Sequence, residues 1–188
     1  VAPFQEYRTA GDQNHLPWEN IMLPATFKKL IDYGRWSNAQ LLAASASLTN
    51  EQLDSPFEMG RGNLRRTLMH IWAGESVWLA RMSGKSETPW PDESQPISVS
   101  ELTQRFEVLW HQIDAFLDSL KEDDLSRVLP YRDSLGGLFD ASLWDMWLQF
   151  INHSVHHRAQ AVNMLRRIGA SPPELDYMMF IRKPVSGA

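Results

Sequence analysis

Residues 142–168 read SLWDMWLQFINHSVHHRAQAVNMLRRI. Leu143, Trp147, Phe150, His153, His157, Ala161, Met164 and Ile168 step by three or four, so on an α-helix they share one face. Ser142 and Asp145 form a capping-box-like start, and Arg166 and Arg167 suit the negative end of the helix dipole just before Gly169. At ~1.5 Å per residue this helix is roughly 40 Å long. A helix of that length with one apolar face needs comparable partners to cover it. Two positions of the face are not apolar: His153 and His157 stand where core residues belong.

The partners lie upstream. Leu102, Phe106, Leu109, Ile113, Phe116 and Leu120 mark one face of a helix starting near Ser98 or Ser100. A second helix covers about 63–82 and stops at Ser83-Gly84. A first helix, about 25–48, carries Phe27, Ile31, Gly34, Asn38, Leu41, Ser45 and Leu48 on one line, with Asn38 as its odd amide. Thr49 to Arg61 reads as loop, with Pro56 and Gly60 as breakers, and Pro89, Pro91 and Pro96 mark another loop. In Lys121–Asp140, the least helical stretch, 127–131 and 136–139 flank a turn and suggest a small hairpin. Ser171-Pro172-Pro173-Glu174 resembles the start of a short terminal helix bearing Tyr177, Met178 and Phe180. The expected fold is all-α: a four-helix bundle with a long crossover loop between helices 3 and 4. Residues 1–21 are polar and irregular and read as an N-terminal arm or extension, with one domain over 22–188.

Composition narrows the function. The net charge is −5 with no Lys/Arg cluster, which disfavours nucleic acid as a partner. No apolar run is long enough to span a membrane and no secretory signal is evident, so a cytoplasmic location is the expectation. There are no cysteines, which removes disulfides, thiolate nucleophiles and Cys-ligated metals and leaves imidazole and carboxylate as the strong ligands. The eight tryptophans serve either helix packing or a pocket wall.

Histidines at i and i+4 on one helix face can converge on one cation. His156 falls instead on a polar stripe with Gln149, Asn152, Gln160 and Asn163 and is assigned to solvent or a pocket rim. His111 sits among Gln104, Glu107, Asp114 and Asp118 on an outer face. His70 is the natural third ligand, and Gly74 at i+4 leaves space beside its ring; a hydrogen-bonded core histidine is the alternative reading. His-Glu-x-x-His, Glu-x-x-His, Walker and dinucleotide glycine motifs are all absent.

Several stretches together resemble the DinB / YfiT-like family. They are Tyr33-Gly34-Arg35-Trp36-Ser37-Asn38, Leu68-Met69-His70-Ile71 followed by Glu75, Trp78 and Leu79, and above all Asn152-His153-Ser154-Val155-His156-His157-Arg158-Ala159-Gln160. Pro173-Glu174-Leu175-Asp176-Tyr177 is similar to the family's tail. The resemblance spans about 22–183; Ala159 departs from it, standing where glycine is common. It implies a four-helix bundle with His70, His153 and His157 as metal ligands, Tyr33, Trp36, Asn38, Glu75 and Trp78 as pocket or supporting residues, and assembly as a homodimer.

Members of the wider superfamily include thiol-dependent transferases and isomerases. The resemblance therefore implies a divalent ion, zinc or nickel ahead of manganese or iron, that activates a low-molecular-weight thiol or water against an electrophilic small molecule. The alternative is a non-catalytic bundle that binds metal or a small ligand. Glu75 lies well round the helix from His70 and is not expected to be a ligand. No catalytic acid or base is assigned. Metal affinity is expected to fall in acid around the reference imidazole pKa of ~6.5.

Overall fold

The computed structural model describes residues 23–183. The arm expected over 1–21, with His15, lies outside them. Six α-helices and one hairpin follow in order: α1 (Leu23–Ser45), α2 (Asn50–Leu53), α3 (Leu64–Met82), α4 (Val99–Ser119), β1 (Val128–Arg132), β2 (Leu138–Ser142), α5 (Leu143–Arg167) and α6 (Tyr177–Ile181). A 3-10 turn at Glu122–Ser126 precedes β1.

The helix starts are set by side chains that accept otherwise unpaired backbone N–H groups. Asn63 accepts from Arg66, Ser98 from Glu101 and Ser142 from Asp145. Thr49 and Gln52 form a reciprocal capping box that turns part of the expected loop into the one-turn α2. Asp176, rather than the Ser171–Glu174 stretch, caps α6. Gly84 and Gly169 take φ of +82° and +75°, the left-handed conformation that ends α3 and α5.

The four long helices pack around two apolar layers. One holds Leu41 and Leu42 of α1, Leu64, Leu68 and Ile71 of α3, Leu102 and Phe106 of α4, and Met164 and Leu165 of α5. The other holds Phe27 and Ile31 of α1, Trp78 and Met82 of α3, Leu109 and Ile113 of α4, and Met146, Trp147 and Phe150 of α5. This sharing fixes the directions: α1 runs parallel to α5, α3 runs parallel to α4, and the two pairs are antiparallel. Phe106 and Trp147 are almost wholly buried, the first and the last 1% and 0% exposed.

Two connections are long, and they behave differently. Residues 120–142, between the third and fourth long helices, stay at one end of the bundle. They fold there as the 3-10 turn and the antiparallel hairpin, paired from Val128–Ser142 to Arg132–Leu138. The Pro-rich segment 83–98 joins two parallel helices and so must travel the length of the bundle, past its middle. None of the described helices is long and apolar enough to cross a membrane.

Candidate metal centre

Between the two apolar layers the bundle has a polar storey. Asn38, His70, Glu75, Ser154 and Arg158 are all buried there. A buried polar group without a partner is costly, so each needs one. Glu75 Oε1 accepts from Asn38 Nδ2 at 2.9 Å and from Ser154 Oγ at 2.8 Å. Arg158 Nη1 donates to Asn38 Oδ1 at 3.5 Å and its guanidinium lies 5.6 Å from the Tyr33 ring centroid. Burial raises the Glu75 pKa, and the hydrogen bonds and the Arg158 charge offset part of that rise. Glu75 thus braces α1, α3 and α5, consistent with its exclusion as a ligand.

On the neighbouring face, His70 of α3 meets His153 and His157 of α5. One ring nitrogen from each lies within 4.8 Å of the others. The Nε2 atoms of His70 and His153 are 3.2 Å apart. Two nitrogens held about 2.0–2.1 Å from one tetrahedral ion stand about 3.3 Å apart, so this spacing would suit two ligands of one ion. His70 Nδ1 hydrogen-bonds to Glu93 Oε1, which leaves its Nε2 lone pair facing the other rings. His157 Nδ1 pairs with Gln160 Oε1 at 2.7 Å, which leaves its other nitrogen available.

Burial, followed by mutual repulsion among the histidines, depresses His153 to about 3. Burial also lowers His157 to about 4, against the hydrogen bond that its Nδ1 donates to Gln160 Oε1. Both rings are therefore neutral at pH 7, as ligands must be. The expected competition by protons near ~6.5 moves downward accordingly. Three converging imidazoles with one buried carboxylate behind them fit a divalent ion.

Gly74 has a different use from the one expected. The space it leaves is filled by the His153 ring: a Cβ there would fall 2.4 Å from Cε1 and 2.6 Å from Nδ1. His156 is exposed and accepts from Gln160 Nε2 at 2.9 Å, outside the cluster, as its polar stripe predicted. Ala159 is exposed on the far side of α5, so the departure from glycine does not touch the site.

Trp90 and Glu93, both from the crossing segment, are among the site residues that escaped the sequence reading. Glu93 is 6% exposed and accepts from His70, from Trp90 Nε1 and, at 2.8 Å, from Arg61 Nε. Burial pushes its pKa up, but the bonds from His70 and Trp90 and the Arg61 charge outweigh burial and hold it below the usual carboxylate value. The Trp90 ring lies 5.1 Å from His70 and 6.3 Å from His153. Loops have no periodicity, so Pro-Trp-Pro-Asp-Glu carries no local signal that would place it here.

Beside His153 opens a cavity of about 460 Å³, lined by Trp78, Arg81, Trp90, Tyr131, Met146 and Gln149 among others. Of the five expected pocket or supporting residues, only Trp78 lines it. Asn38 and Glu75 belong to the buried brace. Tyr33 donates to the Leu175 carbonyl at 2.6 Å, and it packs with Trp36 against Phe180 of α6, so both tie the tail to α1 and neither lines the cavity.

Comparison with known proteins identifies the family and the fold. Residues 22–184 match the model described as the DinB family. A DinB-like protein from Bacillus cereus ATCC 10987 superposes with a TM-score of 0.65 at 23% identity, over 80% of this chain and 95% of that one. YfiT from Bacillus subtilis, described as a probable metal-dependent hydrolase with an unusual four-helix bundle topology, gives 0.61 at 20% identity, over 90% and 97%. No curated protein sequence matches significantly.

Proposed function

The chain belongs to the DinB family, and from that premise we propose that it is a divalent-metal-dependent enzyme acting on an electrophilic small molecule. The attacking group is water, as in a hydrolase, or a low-molecular-weight thiol, as in a thiol transferase. The supporting observation is the convergence of His70, His153 and His157 beside an open cavity of about 460 Å³. Three protein ligands leave a coordination position for a reactant, whereas structural sites are usually closed by four.

A bound divalent ion, zinc or nickel ahead of manganese or iron, supplies Lewis acidity and lowers the pKa of a coordinated water or thiol. The chain's own residues prepare the site. Glu93 accepts the His70 Nδ1 proton and fixes that ring's tautomer and orientation. Arg61 and Trp90 hold Glu93, and Gln160 holds His157. Trp78 and Trp90 form an aromatic wall that limits water around a bound substrate.

The test begins with metal content. Purified protein should carry about one divalent ion per chain by elemental mass spectrometry, and the His70→Ala variant and the His153→Ala/His157→Ala variant should lose it. Stoichiometric metal in the double variant would sink the ligand assignment. The loaded protein should then turn over activated esters or, with an added thiol, an electrophile such as 1-chloro-2,4-dinitrobenzene. Metal without either activity would favour a non-catalytic binding bundle.

A further inference from the structure

Arg81 is a buried cation that the metal centre does not use. It lies in the last turn of α3, is 5% exposed, and lines the same cavity as His153. Its guanidinium sits 4.8 Å from the Trp78 ring centroid and 5.4 Å from that of Tyr131. This stacking pins the hairpin to α3 and orients the charge, but it supplies no counter-ion. Among the described residues Arg81 has one hydrogen-bond acceptor, the Arg132 carbonyl, 2.7 Å from Nη2; its Nε is buried without a partner. The two acids of the lining are committed elsewhere. Asp133 Oδ1 accepts from the backbone N–H groups of Leu135 and Gly137, and Asp145 accepts from Ser142 Oγ at 2.6 Å. Neither lies within ion-pair distance of Arg81; the Asp133 charge acts on it only at longer range, and burying a cation without a contacting counter-ion is expensive.

His70, Gly74, Trp78 and Arg81 follow one another along a single face of α3. Gly74 is where the His153 ring packs, and Arg81 lies seven residues further, about 10 Å along the helix. Trp78 and Trp90 bound the space between. A cation at one end, an aromatic stretch and a metal centre at the other describe a short amphiphilic ligand.

We propose that the cavity takes a carboxylate-bearing small molecule, with its carboxylate against Arg81 and its reacting centre toward His153. The proposal rests on taking the cavity as the substrate site of the function above. The carboxylate can belong to the electrophile or to the thiol, because Arg81 reads the same chemistry in both.

Trp78 and Trp90 line the cavity, so tryptophan fluorescence reports its occupancy. Metal-free and zinc-loaded full-length protein are titrated at pH 7 with two matched pairs. These are 4-phenylbutyrate against 4-phenylbutyramide, and 3-mercaptopropionate against 2-mercaptoethanol. The carboxylate of at least one pair should bind tenfold or more tighter than its neutral partner, and the pair showing it identifies the carrier. Arg81→Met should abolish the preference, and Arg81→Lys should keep part of it. Equal affinities within both pairs in the wild type overturn the proposal without any variant that must fold, as does an undiminished preference in Arg81→Met. A carboxylate preference in protein that binds no zinc would retain the anion site while removing the metal reading.

Discussion

Gly74→Ala should strengthen the helix and disable the metal centre. An alanine in a helix interior is favoured over glycine by about 1 kcal/mol. The added Cβ, however, would lie 2.4 Å from His153 Cε1 and 2.6 Å from Nδ1. Ordinary carbon contacts begin near about 3.5 Å, so the ring must retreat by about 1 Å. It can do so cheaply, because His153 borders the open cavity rather than packed core. The retreat nevertheless takes its nitrogen out of a bond only about 2.0–2.1 Å long. Metal-free Gly74→Ala should therefore melt at the wild-type temperature or up to about 3 °C above it. Its zinc affinity, measured by chelator competition, should fall by about 100-fold. In a His153→Ala background the clash is gone, so the same substitution should stabilise by about 1 kcal/mol and leave residual metal binding unchanged. Zinc affinity within threefold of wild type in the single variant would refute the assignment of His153 as a ligand packed on Gly74.

Glu93→Ala should weaken metal binding by about 10- to 100-fold, read by the same competition, because His70 loses the carboxylate that orients it. His156→Ala should leave metal content unchanged, and a large loss would show that the wrong face of α5 was chosen. Acid should destabilise the metal-free protein over a defined window. The folded pKa values of His153 and His157 lie below the unfolded one, so between pH ~6.5 and about 4 the unfolded chain binds more protons, and stability must rise with pH there. Denaturant midpoints that do not fall on acidification through that window, or that fall equally in His153→Ala/His157→Ala, would contradict the depressed values. Trp147→Ala should cost about 3–5 kcal/mol in chemical denaturation, since that side chain is wholly buried between α5 and its neighbours; a cost below about 1 kcal/mol would contradict the packing.

The bundle was legible because helix formation and burial both leave a local, periodic trace. Leu143 to Ile168 and Leu102 to Leu120 display their buried faces in the order of their residues, and Asn63, Ser98 and Ser142 cap the helices beside which they stand. His153 and His157 were legible for the same reason, as polar members of an apolar line four residues apart. The side of α5 on which His156 points was fixed by the same arithmetic.

The supports of the site were not, because they depend on distances in space between segments far apart in sequence. Glu93 reaches His70 only because 83–98 joins two parallel helices and must run back along the bundle, and Gly74 makes room for a ring 79 positions away. Tyr33 and Trp36 show the converse: the family resemblance of 33–38 implied a pocket or supporting role, and α6 claimed them for packing. Sequence by itself determined which residues can form helices and which imidazoles share a face, since backbone geometry fixes both within a few residues. Only the tertiary structure decided which carboxylate stands behind the three imidazoles and which cation faces the cavity, since those pairings are set by how whole helices and their crossing segment pack.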